Sequence, residues 1–221
     1  NPLTKERERF GEWKSNIKKL IDLGRVNLAL DTRSLNELAD KHGLWIYDNE
    51  VEVAQQVIEW GTQNTAVIDY TDMIYFPAVK NIRLYQRDWV FIDECQDLNA
   101  AQRTLFLKTI KPNGGRFVAV GDAKQSIYGF CGADEESFHK LTQIPHTAKL
   151  PLSICYRCDA NIIRLAQSIV PQIQYRDGAP DGIVDRDARM ADVQDGDMVL
   201  CRVSAPLTKL CMHYISTGRK A

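Results

Sequence analysis

The sequence lacks an excess of charge of either sign, a long apolar run and a low-complexity tract. Its 221 residues carry a formal net charge of −1, so any contact with nucleic acid must rest on local patches rather than on a global positive field. No apolar stretch approaches the roughly 20 residues that span a bilayer, and the first residues do not have the basic flank and apolar core of a signal peptide. We therefore expect a cytoplasmic protein that does not act at a membrane.

Cysteine pairs with metal-ligand spacing are also scarce. Only Cys155 and Cys158 form a C-x-x-C pair, and the second pair that would complete a zinc site is missing. Reduced, buried thiols are therefore favoured over metal binding or redox use. The remaining cysteines are scattered along the chain: Cys95, Cys131, Cys201 and Cys211.

The residues that are present predict one or two compact domains, since 44% are hydrophobic and 26% are charged. Apolar residues at helical spacing predict a first amphipathic helix, with Thr4 as its cap and Gly24 as its end. Its basic residues could contact phosphates, although a solvated face is favoured. The apolar stripe consists of Phe10, Trp13, Ile17, Leu20 and Ile21.

Two more helices are predicted before residue 65. Ser34 and Glu37 have capping-box spacing, which predicts a short helix after Ser34. The stretch "NEVEVAQQVIEWG" has the apolar period of a further helix. Residues 1–65 are therefore predicted to be all-helical.

From residue 66 onward, short apolar runs alternate with helical stretches, which predicts an α/β fold with a parallel sheet. Helices are expected over "NAAQRTLFLKTI", "DEESFHKL" and "DANIIRLAQSIV", and from about Ala205. The predicted strands are "DWVFID", "GRFVAVGD", "TAKLPL" and "DMVLCR".

Acidic residues directly follow the first predicted strand, in "VFIDECQDLN". Ligands of parallel sheets gather beyond the carboxyl ends of the strands. There Asp93 could hold Mg²⁺ through water while Glu94 orients or deprotonates an attacking water. Polar residues that merely cap a strand are the alternative.

A second polar stretch follows the next strand, in "RFVAVGDAKQSIYGF". Gly121 would let the backbone turn sharply, and Gln125 could reach a terminal phosphate or its water. Tyr128 and Phe130 could offer stacking faces for bases, although aromatic pairs usually fold back into a core.

A third stretch, "LPLSICYRCDANII", places Tyr156 and Arg157 just before a helix. The guanidinium could bind a phosphate and the ring could contact an adenine. A surface ion pair of Arg157 is the alternative.

These three stretches, in this order and followed by "MVLCRVSAPLTKL", resemble superfamily 1 DNA helicases of the UvrD/Rep type. They match the family's DExQD box, its long G-D-x-x-Q-S-I-Y-G box and its N-Y-R-S box. "VIDYTDMI" is similar to the stretch that precedes the acidic box. The resemblance covers roughly residues 66–216.

The resemblance implies a role for each matched residue. Asp93 would bind the Mg²⁺ of ATP, Glu94 would activate water, and Gln125 would sense the γ-phosphate. Tyr156 and Arg157 would contact the adenine and the γ-phosphate across a cleft between two motor domains. By the same resemblance, Tyr128 and Phe130 would stack on single-stranded DNA.

The resemblance also implies the architecture of a P-loop NTPase with RecA-like motor domains. Residues 1–65 would be a helical accessory segment, residues 66–148 part of the first motor domain, and residues 149–221 the start of the second. The full-length protein would be an ATP-dependent helicase acting on single-stranded DNA and duplex DNA junctions.

The sequence departs from the family pattern in three places. Phe130-Cys131 replaces the usual Trp-Arg, and Cys155 and Cys158 replace the Asn and Ser around Tyr-Arg. No G-x-x-x-x-G-K-[ST] loop occurs, and without it the β- and γ-phosphates have no anchor. We therefore expect an internal segment of a helicase that is inactive alone.

Two rival functions stay open at this point. A non-catalytic relative would keep the sheet and bind single-stranded nucleic acid or a partner protein. A metal-dependent nuclease would use Asp93, Glu94 and Asp97, and is less favoured because no further acidic or lysine box accompanies them.

Overall fold

The structure is a computed structural model that describes residues 2–47, 49–126 and 136–219. The chain divides into two compact units, Asn1–Leu150 and Pro151–Ala221. The elements of the first unit are α1 (Pro2–Asn27), α2 (Thr32–Lys41), α3 (Glu50–Gln63), α4 (Asp72–Val79), β1 (Trp89–Ile92), α5 (Ala100–Lys108), β2 (Arg116–Ala119) and α6 (Ser137–Thr142). The boundaries predicted at residues 65 and 148 stay predictions.

Helices α1 to α4 share one hydrophobic core, and α1 is longer than predicted. It begins at Pro2, so Thr4 lies within it, and it continues through Gly24. A Cβ on Gly24 would lie 2.8 Å from Leu35 Cδ2 and 3.0 Å from Ile58 Cδ1. Gly24 therefore serves close packing of α1 against α2 and α3, and does not end the helix. The buried residues of this core are Ile17, Leu20, Ala29, Leu35, Ala39, Val51, Ala54, Ile58, Tyr75 and Phe76.

The predicted apolar stripe of α1 is buried only in its second half. Ile17 and Leu20 are buried, whereas Phe10 is 63% exposed. Phe10 stacks on Trp13 with ring centroids 5.7 Å apart. The helix therefore extends beyond the core that its C-terminal half helps to form.

The cap of α2 is Asp31, so the prediction that Ser34 caps the helix was wrong. The Ser34 N–H donates to Asp31 Oδ1 at 2.9 Å, and the Asp31 N–H donates to Ser34 Oγ at 3.4 Å. Ser34 is thus the third residue of a capping box rather than its first. The N–H of Ser34 lowers the pKa of Asp31, because a hydrogen bond to a carboxylate favours its charged form.

An ion-pair cluster joins the end of α1 to the start of α4 and the turn before it. The guanidinium of Arg25, 12% exposed, bonds the carboxylates of Asp22 (2.8 Å), Asp69 (2.9 Å) and Asp72 (2.8 Å). We call these four residues the Arg25 cluster. It anchors the stretch "VIDYTDMI" to the helical core.

Strands β1 and β2 pair in parallel, with Val90 opposite Phe117 and Ile92 opposite Ala119. Helix α5 connects them, as expected for a βαβ unit. One face of the pair packs on buried Cys95, Phe106 and Leu141. Trp89 and Phe91 on the other face are exposed, so the apolar run of β1 is buried on one face only.

A lysine of α5 holds the end of α4. Lys108 Nζ donates to the carbonyl oxygens of Pro77 at 3.0 Å and Ala78 at 2.6 Å. Carbonyls in the last turn of a helix have no intrahelical partner, and a lysine there also complements the helix dipole. Lys108 therefore connects the helical core to the βαβ unit.

The second unit contains β3 (Ile154–Cys155), α7 (Ala160–Ala166), β4 (Gln174–Tyr175) and α8 (Ser204–Ser216). Strands β3 and β4 pair in parallel, and the helix predicted from about Ala205 is confirmed. The strands predicted over "TAKLPL" and "DMVLCR" are not formed. Leu150, Leu152, Met198 and Leu200 are all more than 80% exposed. A strand forms only against a neighbour, and these stretches pair with no described residue.

The described chain is thus helix-rich with two small parallel sheets. This confirms the predicted α/β class in two respects: the N-terminal part is helical, and the strands pair in parallel. No helix in the described part of the chain is long and apolar enough to cross a membrane.

Candidate functional site

The candidate site lies where β1 and β2 end together. Asp93 and Glu94 follow β1 directly, and Gly121 and Asp122 follow β2 after one further residue. Because the strands are parallel and in register, both polar stretches occupy the same edge of the sheet. This is the edge at which parallel sheets bind ligands.

A chain of three hydrogen bonds, one of them donated by a backbone N–H, joins the two stretches. Gln96 Nε2 donates to Glu94 Oε2 at 2.7 Å, and the Asp122 N–H donates to Gln96 Oε1 at 3.1 Å. Gln125 Nε2 in turn donates to Asp122 Oδ2 at 2.9 Å. Gln96 is 3% exposed. The glutamate of the first stretch and Gln125 of the second are therefore connected through a buried amide.

The backbone at Glu94 is strained. Its φ of 51° and ψ of 43° lie in the left-handed region, which non-glycine residues seldom occupy and which costs on the order of 1 kcal/mol or more. The next residue fixes this conformation, since the Cys95 N–H donates to the Val120 carbonyl at 3.0 Å. Strain that the surroundings hold in place is common at functional sites.

Gly121 has a different role from the one predicted. Its φ is not in the left-handed region, so a sharp turn does not require glycine. A Cβ there would instead lie 2.5 Å from Gln96 Oε1 and 2.7 Å from Cys95 Sγ. Glycine is needed because the chain leaving β2 passes so close to the buried amide of Gln96.

We expect Gly121→Ala to lower the free energy of unfolding by about 1–3 kcal/mol, as overpacking does. Thermal unfolding of this chain measures the change. Gly61→Ala is the matched control, because nothing lies within 4 Å of a Cβ at Gly61 in α3. That control should gain up to about 1 kcal/mol, since alanine favours a helix interior over glycine. Equal stability of Gly121→Ala and the unmodified chain would contradict this account.

Cys95 directly follows the two acids in the sequence. It is buried, and burial raises the pKa of its thiol, with a further contribution from the negative charges of Glu94 and Asp93. The thiol is therefore protonated at neutral pH and packs as a small apolar side chain.

Both acids are open to solvent. Asp93 and Glu94 are exposed, and Asp93 Oδ1 accepts the Glu94 N–H at 3.0 Å. Among the described residues, no group of three histidine, cysteine, aspartate or glutamate side chains could hold a metal ion. A metal at Asp93 would therefore need ligands from elsewhere, such as a bound phosphate.

Four further residues were predicted from the sequence to belong to the site. Tyr156 and Arg157 are exposed and belong to the second unit, at the bend that follows β3. Arg176 Nη1 donates to the Tyr156 carbonyl at 3.0 Å. Arg157 makes no ion pair with a described residue, so the surface ion pair considered for it is not formed within the described chain. Tyr128 and Phe130 lie outside the described residues.

The sequence interpretation assigned no role to Gln96 or Asp122, which complete the hydrogen-bond chain. Gln96 lies among acids that are exposed or half-buried, yet it is almost fully buried. The sequence signal that could have identified Gln96 was its position, two residues after Glu94 and close to a strand end. Its partner on the second stretch could be identified only from the pairing of β1 with β2.

Comparisons with known proteins identify relatives of this chain. The chain is 30% identical over 113 residues to ATP-dependent DNA helicase Rep of Escherichia coli (strain K12), covering 47% of the chain and 17% of that protein. It is 26% identical over 117 residues to ATP-dependent DNA helicase Rep of Buchnera aphidicola subsp. Baizongia pistaciae, covering 49% of the chain and 17% of that protein.

A longer match is to the probable DNA helicase II homolog of Mycoplasma pneumoniae, 28% identical over 173 residues. It covers 71% of the chain and 24% of that protein. The chain thus spans less than a quarter of the length of each of these relatives.

The family profile described as "UvrD/REP helicase N-terminal domain" matches residues 30–145, just over half of the chain. The matched residues include β1, β2 and both polar stretches at their ends. The resemblance drawn from the motifs is confirmed, and the chain belongs to the UvrD/REP helicase family.

Proposed function

We propose that this chain is part of an ATP-dependent DNA helicase and that the edge formed by β1 and β2 is part of its ATP-hydrolysis site. The observation that carries the proposal is the hydrogen-bond chain from Glu94 through Gln96 and Asp122 to Gln125. Relatives named as ATP-dependent DNA helicases support the same activity.

Each residue at this edge has a chemical task in the proposal. Asp93 is exposed and suits Mg²⁺, which is commonly held by one or two carboxylates together with substrate phosphates. When bound, Mg²⁺ would neutralise charge on the β- and γ-phosphates. Glu94 orients the attacking water and accepts its proton. Gln96 fixes the glutamate by donating to Oε2, so that its other oxygen can face the water.

Gln125 would link the presence of the γ-phosphate to the polar stretch that follows β2. In the structure its amide donates to Asp122, and an exposed side chain can exchange this partner for a γ-phosphate oxygen. The backbone N–H of the same Asp122 supports Gln96, so a shift of Asp122 after this exchange would reach Gln96 and then Glu94. Detection of the γ-phosphate and placement of the general base are thereby coupled.

The remaining roles concern residues farther along the chain. Tyr156 and Arg157 would bind the adenine and the γ-phosphate, and both are exposed as this requires. Tyr128 and Phe130 would stack on single-stranded DNA. Closure of the cleft between two RecA-like motor domains would change this grip, and repeated cycles would move the protein stepwise along the strand.

The proposal is tested by ATP hydrolysis in the full-length protein. We expect turnover that single-stranded DNA stimulates, whereas residues 1–221 alone should show none, because their sequence has no G-x-x-x-x-G-K-[ST] loop. DNA-stimulated turnover by residues 1–221 would contradict the fragment hypothesis. A full-length protein that binds DNA without hydrolysing ATP would instead favour the non-catalytic module.

A further inference from the structure

Helix α1 carries a row of basic side chains that has no role in the proposed ATP-hydrolysis site. Arg7, Lys14 and Lys18 occupy positions i, i+7 and i+11 of the helix, so they lie along one face. All three are exposed, and none makes an ion pair with a described residue. We call these three residues the α1 stripe. At 1.5 Å per residue, the stripe is roughly 16 Å long.

The charge of α1 differs between this face and the neighbouring one. On the face of the α1 stripe the first acid is Asp22, and Arg25 already pairs with it at 2.8 Å. Lys19 lies about 100° further around the helix and shares its face with the exposed acids Glu8 and Glu12. Positive charge is therefore balanced beside Lys19 and unbalanced along the α1 stripe.

An exposed aromatic ring lies next to the α1 stripe. Phe10 is three residues after Arg7 and four before Lys14, the spacings at which side chains of a helix are neighbours. It is 63% exposed and stacks on Trp13, with ring planes 19° apart. Aromatic rings beside a basic surface are the arrangement that binds single-stranded nucleic acid without sequence preference.

A glycine within the α1 stripe has no packing role in the described chain. Gly11 is four residues after Arg7 and three before Lys14, and a Cβ built there has nothing within 4 Å. Gly24 of the same helix, in contrast, makes room for two neighbouring side chains. Glycine weakens a helix interior relative to alanine, but it permits the close approach of a ligand.

We propose that the α1 stripe binds single-stranded DNA, with phosphates on its three cations, the sugar–phosphate backbone over Gly11 and one base stacked on Phe10. The unbalanced positive charge attracts a polyanion. The exposed ring selects unpaired bases, because the bases of a duplex are already stacked on one another. The inference rests on the proposed function, since it names a surface for the DNA on which the helicase would act.

Two adjacent lysines provide matched variants of the full-length protein. Fluorescence anisotropy without nucleotide measures binding of a mixed-sequence single-stranded oligonucleotide at several salt concentrations. Lys18→Gln should reduce the slope of log affinity against log salt by about 0.7, the value for one phosphate contact of a single strand. Lys19→Gln removes the same charge from the other face and should leave the slope unchanged. Equal slopes and affinities in these two variants would overturn the proposal.

Variants of Phe10 test the stacked base. Phe10→Ala should weaken binding to single strands of any sequence by about 5- to 150-fold, the cost of losing one stacked base. Phe10→Tyr should keep the affinity, because it keeps the ring. Undiminished affinity in Phe10→Ala, or an equal loss of affinity for a blunt-ended duplex, would count against the proposal.

Substitution of Gly11 separates DNA binding from helix stability. Gly11→Gln should keep or raise the melting temperature, because glutamine favours a helix interior over glycine. It should nevertheless weaken DNA binding, since the new side chain occupies the space of the strand. Gly61→Gln, at an equally open position of α3, should leave the affinity unchanged. Equal affinity in the two glycine variants would contradict the proposed path of the strand.

ATP hydrolysis by the same proteins at saturating DNA distinguishes the two proposals. Weaker binding by Lys18→Gln with DNA-stimulated hydrolysis retained supports the α1 stripe as a DNA contact. Absence of DNA-stimulated hydrolysis in the unmodified protein would contradict the proposed function alone, because the binding comparison of Lys18→Gln with Lys19→Gln decides the α1 stripe without it.

Discussion

Replacing Glu94 by Gln in the full-length protein is expected to lower ATP turnover by a factor of about 10²–10⁴, the usual contribution of a general base. The affinity for ATP should stay nearly unchanged, because the carboxylate acts on water rather than on the nucleotide. Glutamine preserves the shape of the side chain and can still bond the Gln96 amide through its oxygen. The loss should therefore fall on turnover and not on stability.

The measurement combines steady-state ATP hydrolysis with binding of a fluorescent ATP analogue and thermal unfolding. Glu52→Gln is a suitable control, since Glu52 is exposed on α3 and is given no role in the site. It should match the unmodified protein in all three measurements. An equal loss of turnover and ATP affinity in Glu94→Gln would assign this residue a structural role.

The second large effect is expected at the Arg25 cluster. Arg25→Ala should lower the free energy of unfolding by about 3 kcal/mol, because removing one member of a buried ion pair leaves its partners uncompensated. For a chain of this size the melting temperature should fall by roughly 6–12 °C. Asp72, with a side chain only 13% exposed, would contribute most.

Arg33→Ala provides the matched control. Arg33 also pairs with a carboxylate, that of Glu37, but both side chains are largely exposed. Its loss should cost no more than about 0.5 kcal/mol, as for surface pairs within a helix. If the two arginine variants unfold at the same temperature, the Arg25 cluster is not the anchor described above.

The Arg25 cluster also predicts the effect of acid. Burial tends to raise the pKa of Asp69, but hydrogen bonds from the Asp72 N–H and from Arg25 outweigh it and lower the pKa below the ordinary 3.8. A carboxyl group with a lowered folded pKa stabilises the fold above its unfolded pKa, and this contribution is lost as the pH falls through the folded value. Arg25→Ala should therefore reduce the loss of stability below about pH 4.

The sequence predicted the features that depend on residues close together along the chain. The acids after β1, the helix α5 and the presence of a parallel sheet follow from local apolar runs and their polar ends. The hydrogen bond from Gln96 to Glu94, and its link to Asp122, could not be predicted, because they depend on which strand lies beside β1. The strands expected at 147–152 and 197–202 failed for the same reason, since an apolar run does not specify a neighbour.

Two errors have a local cause. Asp31 and Ser34 both suit the cap of α2, and the choice between them depends on the conformation of the preceding chain. Glycine was assumed to serve backbone freedom at Gly24 and Gly121, whereas at both positions it leaves room for a neighbouring side chain.

The contact between Lys108 and the end of α4 has a consequence for cooperativity. Tyr75 and Phe76 of α4 lie in the core of the N-terminal helices, while the carbonyls of the following turn are held by α5. Opening the βαβ unit therefore removes hydrogen-bond donors from the helical core, and the two parts should lose amide protection together. A protease that cuts the exposed stretch 64–70 would leave two fragments that remain associated, and not a free helical domain.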